Sequence, residues 1–91
     1  MSYPAVTLYS KPDCVQCDFT KARLVRAEVP FTEVDVIQDR TALDFITLDL
    51  GYTAAPVVYL DDGHDVQRHW SGYRPDLIRQ HITQQAGGQT R

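Results

Sequence analysis

An α/β fold with the element order β-α-β-α-β-β-α is what this 91-residue chain predicts. Three observations predict it. Short runs of β-branched and aromatic residues alternate with stretches of helical periodicity, the pattern of βαβ units. One run, Pro56-Val57-Val58-Tyr59-Leu60, is almost continuously apolar, as a central strand buried on both faces requires. A pair of cysteines, Cys14-Val15-Gln16-Cys17, stands between the first strand and the first helix.

The elements follow in order. Val6-Thr7-Leu8-Tyr9 reads as a strand bounded by Pro4 and by Ser10-Lys11-Pro12. Asp13 is expected as the N-cap of a helix from about Cys14 to Ala27, with Cys17, Leu24 and Ala27 spaced for one buried face. Pro30 is expected to stop that helix. Phe31 to Ile37 reads as the second strand, with Phe31, Val34 and Val36 apolar and Glu33 and Asp35 polar. After a turn at Gln38-Asp39-Arg40, a second helix covers about Thr41 to Leu50, with Leu43, Ile46 and Leu50 at i, i+3 and i+7. Gly51 follows where a left-handed residue closes a helix.

The Pro56–Leu60 strand comes next, then a turn at Asp61-Asp62-Gly63-His64 and a weaker strand from Asp65 to Trp70, with Val66, Arg68 and Trp70 on one face. A third helix begins near Pro75, a favoured first-turn residue, and uses Leu77, Ile78, His81 and Ile82. Residues 1–83 are expected to form one domain. The polar stretch 84–91, with Gly87-Gly88, is expected to be a frayed tail.

Composition narrows the function. The chain is 43% apolar with a net charge of -3, so nothing argues electrostatically for nucleic acid. No run approaches the roughly 18 apolar residues of a membrane span. Met1 to Ser10 has no basic region leading into an apolar one, so no signal peptide is expected, and the expected compartment is a reducing cytoplasm. There, two cysteines three apart read as catalytic rather than structural.

The spacing itself offers redox chemistry. Neighbours three apart at a helix start have Cβ atoms about 5–6 Å apart, and a disulfide accepts Cα separations of about 4.4–6.8 Å. A helix N-terminus also stabilises a thiolate. Two other readings compete. A structural disulfide would close so short a loop that it constrains the unfolded chain little. Half a zinc site needs partners; His64 and His69 come closest, but their separation from the cysteines does not fit. Cys14, nearer the helix end, is the expected attacking thiolate, and Cys17, one turn deeper, the resolving thiol. Asp13 beside Cys14 raises a thiol pKa, while Lys11 and the helix end lower it. His64, His69 and His81 receive no chemical role.

A CxxC beside a βαβ pattern suggests a thioredoxin-like redox domain, and the short length suggests the compact glutaredoxin version. Three segments carry a closer likeness: Lys11-Pro12-Asp13-Cys14-Val15-Gln16-Cys17, Gly51-Tyr52-Thr53-Ala54-Ala55-Pro56-Val57-Val58, and Trp70-Ser71-Gly72-Tyr73-Arg74-Pro75-Asp76-Leu77-Ile78. They resemble the active-site loop, the loop entering the central strand and the W-S-G-F-R-P segment of the NrdH-type redoxins, glutaredoxin-sized thiol donors that behave like thioredoxins. The resemblance covers about residues 5 to 83. Tyr73 departs from the family's usual Phe.

The resemblance implies a thioredoxin-like fold with a four-stranded mixed sheet. It implies a monomeric dithiol electron donor to the large subunit of class Ib ribonucleotide reductase, recharged by thioredoxin reductase. NADPH is then used only through that reductase, and no metal or cofactor is bound beyond the Cys14–Cys17 disulfide. It implies a cis Ala55–Pro56 bond facing the cysteines, against the ordinary trans alternative. Thr53 and Ala55 would line a substrate groove. Val15, Gln16, Ser71, Gly72, Tyr73 and Arg74 would contact partners. Lys11 would favour the thiolate or sit as a solvated lysine. Trp70 would join Tyr73 in an exposed aromatic platform or belong to the core. Glutathione-using relatives carry a Gly-Gly-x-Asp-type turn where this chain has Ser71 to Pro75; Pro75 offers no N–H, and Tyr73 and Arg74 add bulk. The rival functions are a glutathione-dependent glutaredoxin, a general protein disulfide reductase and a metal or iron–sulfur scaffold.

Overall fold

The run that begins at Val57 forms one of the two inner strands of the sheet. The structure is a computed structural model and describes residues 3–64 and 67–84. Its strands are β1 (Ala5–Ser10), β2 (Thr32–Asp35), β3 (Val57–Asp61) and β4 (Gln67–Ser71), ordered β2-β1-β3-β4 across the sheet. β1 and β2 are parallel, while β1–β3 and β3–β4 are antiparallel, so the sheet is mixed. The helices are α1 (Val15–Arg26), α2 (Arg40–Asp44, continued by a π-helical turn over Phe45–Asp49) and α3 (Pro75–Ile78, continued by a π-helical turn over Arg79–Thr83). This is the expected element order and a thioredoxin-like architecture.

Strand alternation sends side chains to two cores. On one face Val6, Leu8, Val58, Leu60 and Trp70 pack with Leu24 of α1 and with Ile78 and Ile82 of α3. On the other, Val57 packs with Val36, Ala42 and Ile46 under α2. Each fully buried aliphatic chain contributes about 1.5–3 kcal/mol of transfer free energy. Arg68 shares the face of Trp70 but is exposed. Asp65 and Val66, which the sequence placed in this strand, lie outside the described residues, as does the expected tail from residue 85 onward.

The ends of the elements differ from expectation, each for a local reason. Cys14, not Asp13, is the N-cap of α1. Asp13 sits at φ 56, in the left-handed region, and the following extended residue, Cys14, presents its own side chain to the helix. Nor does Pro30 stop α1. The chain turns two residues earlier, with Glu28 at φ 58. The Glu28 N–H bonds the Val25 carbonyl and the Val29 N–H bonds the Leu24 carbonyl, both at 3.0 Å. These are the two bonds of a Schellman C-cap, with Val29 and Leu24 supplying its apolar contact.

β2 is shorter than Phe31 to Ile37 because Asp35 turns the chain. Its carboxylate accepts the Ile37 N–H at 2.8 Å, and its carbonyl accepts from Gln38 and Asp39. α2 begins one residue early because the Asp39 carboxylate caps the Ala42 N–H at 3.0 Å. Gly51 closes that helix at φ 82, as expected. β4 runs one residue further than expected, to Ser71, since its pairing with β3 continues there. The face of α1 also carries a polar tether to the sheet edge: Lys21 pairs with Glu33 at 3.0 Å, and buried Ser10 donates to the same carboxylate at 2.9 Å. The Lys21 hydrogen bond holds the Glu33 carboxyl below its ordinary range.

The C-cap of α1 yields a test. A non-glycine residue in the left-handed region costs roughly 1–2 kcal/mol, and glycine returns about 0.5–1 of that as lost chain entropy. Glu28→Gly is therefore expected to stabilise the fold by about 0.5–1 kcal/mol, measured as a raised urea midpoint at unchanged slope. A lowered midpoint would show that the Glu28 side chain contributes more than its backbone costs.

Candidate active site

Three chain segments far apart in sequence converge at one end of the sheet. β1 ends at Ser10, beside the start of β3, because Tyr9 pairs with Val57. β4 ends there too, because Val57 pairs with Ser71. The loop 11–14, the loop 51–56 and the loop 72–74 therefore share one edge.

Cys14 and Cys17 are joined as a disulfide, with Cα atoms 5.2 Å apart. Cys14 has extended backbone angles (φ -124, ψ 105), and its Sγ accepts the Cys17 N–H at 3.1 Å. Sulfur thus takes the place that a serine oxygen occupies in an ordinary N-cap. A thiolate at this position would gain the same N–H and the positive end of a 12-residue helix. Cys14 is the outer sulfur, as expected, but by little: it is 9% exposed and Cys17 3%. Its Sγ lies 3.8 Å from the Ala55 carbonyl oxygen, and the Ala55–Pro56 bond is cis.

The rim is tied together by hydrogen bonds. The Gly72 N–H donates to the Pro56 carbonyl at 2.8 Å, and the Ser71 hydroxyl donates to the Ala54 carbonyl at 2.8 Å. The Tyr73 N–H donates to Gln16 Oε1 at 2.9 Å, so the residue between the cysteines holds the loop before α3. Gly72 sits at φ 92, and a Cβ there would lie 3.4 Å from Gln16 Oε1. The contact is an ordinary one, so it is the positive φ that favours glycine here. Arg74 forms a two-pronged pair with Asp76, Nε to Oδ1 at 3.1 Å and Nη2 to Oδ2 at 2.9 Å. That pairing holds the Asp76 carboxyl below its ordinary range.

The expected residues divide cleanly. Val15, Gln16, Ala55, Pro56, Ser71, Gly72 and Tyr73 are brought to the rim. Lys11 and Thr53 are exposed and make no hydrogen bond or ion pair among the described residues. Trp70 belongs to the core at 5% exposure and so offers no platform, which is a correction to its proposed contact role. Its place beside Tyr73 is taken by Phe19, whose ring lies 5.6 Å from that of Tyr73. Sequence reasoning passed over Phe19, although its position four residues after Val15 puts both on one helix face. Tyr52 was also missed; its hydroxyl donates to the His69 carbonyl at 3.2 Å and lies 2.9 Å from His69 Nδ1, fastening the loop 51–56 to β4. Among the described residues no three His, Cys, Asp or Glu side chains converge as a metal site, and no helix is long and apolar enough to cross a membrane.

The chain is similar to known proteins in sequence and in fold. A family profile for glutaredoxins matches residues 6–64. The glutaredoxin-like protein NrdH of Lactococcus lactis is 34% identical over 73 residues, which is 80% of this chain and 93% of that protein. The gene 56 protein of Mycobacterium phage L5 is 31% identical over 88 residues, 97% of this chain and 82% of that one. A solved structure of the glutaredoxin-like protein NrdH-redoxin from Escherichia coli, described for its thioredoxin-like activity profile, superposes with a TM-score of 0.69 at 32% identity. That match covers 84% of this chain and 92% of the other.

The bond between Gln16 and Tyr73 can be checked directly. Gln16→Ala removes the acceptor, and a hydrogen bond of this kind is worth about 1 kcal/mol net. The Tyr73 amide is then expected to exchange with deuterium about fivefold faster, while amides in β3 are unchanged. Unaltered exchange at Tyr73 would mean that the bond does not form in solution.

Proposed function

The chain belongs to the glutaredoxin family, among the glutaredoxin-like NrdH proteins, and from that premise we propose that it is a dithiol electron donor to class Ib ribonucleotide reductase, recharged by thioredoxin reductase and NADPH. That it is a thiol–disulfide oxidoreductase follows from the family and the CxxC pair. In the proposed cycle the Cys14 thiolate attacks a sulfur of the target disulfide. The target S–S bond breaks, one target sulfur leaves with the electron pair, and the other becomes bonded to Cys14. The Cys17 thiolate then attacks Cys14 Sγ and expels the second target thiol. Two electrons have passed to the target, and the Cys14–Cys17 disulfide remains. The cytoplasm, where thiols are kept reduced, suits such a cycle.

One observation carries the choice of reductase: several donors of the loop before α3 are already engaged within the chain. A peptide carboxylate such as that of glutathione is held by free backbone N–H groups or by an unpaired cation. Here the Gly72 N–H is bound to Pro56, the Tyr73 N–H to Gln16, and Pro75 has none. The Arg74 guanidinium faces Asp76. This supports recharging by a protein partner over glutathione. The backbone around Ala55, beside the Cys14 sulfur, supports pairing with an extended partner segment.

The test follows NADPH oxidation with the oxidised protein as substrate. Thioredoxin reductase is expected to reduce it at least tenfold faster than millimolar glutathione coupled to glutathione reductase. Cys17→Ser is expected to accumulate a mixed disulfide through Cys14 and to lose multiple turnover. Comparable rates with glutathione would make the protein a glutathione-dependent glutaredoxin, and full turnover by the Cys17 variant would overturn the assigned roles.

A further inference from the structure

Beside the cysteines lies an apolar ledge that the chemistry above does not use. Val15 and Phe19 stand one turn apart on α1 and are 65% and 54% exposed. The Phe19 ring packs at a 50° tilt against Tyr73, with centroids 5.6 Å apart. Tyr73 is itself held in place by the Gln16 bond. Single exposed apolar residues are ordinary on a protein surface. Val25, Ile37 and Leu48 are of that kind here, since none of them adjoins the CxxC segment or the loop before α3. Val15, Phe19 and Tyr73 differ because they adjoin the chemistry: Val15 follows Cys14 directly, Phe19 lies one helical turn further on, and Tyr73 packs against Phe19.

The ledge has a counterpart across the sulfur. Ala55 presents its carbonyl 3.8 Å from Cys14 Sγ. A target segment whose cysteine is bonded to Cys14 is thus confined between the loop 51–56 and the N-terminal turn of α1. Successive side chains of an extended segment point to opposite sides, so the side chains two positions from the target cysteine share its side, and one of them is turned toward α1. There it meets Val15 and the open side of the Phe19–Tyr73 pair.

We propose that Phe19, with Val15 and Tyr73, is a specificity ledge that selects target disulfides with an apolar residue two positions from the cysteine. The inference rests on the exchange reaction proposed above and adds the chemistry of the side chain it favours. Covering an aliphatic side chain of leucine size at an open site recovers part of its full transfer free energy, enough for a selectivity of about five- to tenfold.

The test uses two short peptide amides, each with one cysteine linked through a disulfide to thionitrobenzoate. Leucine stands two positions to either side of the cysteine in one peptide, called the leucine peptide, and serine in the other. The reduced full-length protein attacks the peptide sulfur, the peptide–thionitrobenzoate S–S bond breaks, and the electron pair leaves on the coloured thionitrobenzoate anion. Cys17 then displaces the peptide thiol. The wild-type protein is expected to consume the leucine peptide about five- to tenfold faster. Phe19→Ser should bring the ratio within about twofold, and Phe19→Leu, which keeps the apolar surface, should restore most of it. A wild-type ratio near one, or a ratio that Phe19→Ser leaves unchanged, overturns the ledge while leaving the exchange reaction intact. No consumption of either peptide by the wild-type protein would remove the exchange reaction, and the ledge with it.

Discussion

The antiparallel pairing of β1 with β3 is the constraint on which the working end of this molecule depends. Tyr9 opposite Val57 and Val57 opposite Ser71 bring the end of β1, the start of β3 and the end of β4 to one edge. That register is set by burial, since Leu8, Val57 and Val58 are fully buried. A slip of one residue would turn every core side chain to the opposite face. The same slip would separate Cys14 from Ala55 and Gly72 from Pro56. The chemistry therefore inherits its geometry from apolar packing several ångströms below it.

The sulfur of Cys14 has a structural as well as a chemical place. It ends a loop whose preceding residue is left-handed, and it caps α1 by accepting the Cys17 N–H. A group that stabilises a helix as a hydrogen-bond acceptor is stabilised in turn as an anion, so capping and thiolate formation favour one another. Burial works against them, because it penalises the charged form. The Cys17 N–H and the end of the α1 macrodipole act against that penalty at Cys14, a residue only 9% exposed.

Around this centre the polar groups of the loops are satisfied by one another. Gln16 links the CxxC turn to the loop before α3, and Ser71 and Gly72 link that loop to Ala54 and Pro56. Loops joined in this way hold the sulfur, the backbone acceptor and the aromatic pair in fixed relation without elements of their own. They also engage several donors, and a site with fewer free donors is better suited to a protein surface than to a small anionic peptide.

Much of this was legible in the residues themselves. The order of elements follows from the periodicities, the inner strand from its unbroken apolar run, and the catalytic pair from two cysteines at a helix start. The turn at Gly51 and the helix start at Pro75 follow from the backbone freedom of glycine and the fixed φ of proline. These features are local, so the sequence by itself determined them. The tertiary structure alone decided the rest. Cys14 displaces Asp13 as the cap because the chain turns left-handed at Asp13, and α1 ends at Glu28 because the Schellman bonds to Leu24 and Val25 close before Pro30 is reached. Trp70 lies inside and Phe19 outside, which decides between the two readings open for Trp70, because the register of β4 turns Trp70 onto the face that α3 covers. The pairing of Gln16 with Tyr73, 57 positions apart, has no signature in composition or spacing. It exists only because three strand ends meet at one edge of a sheet.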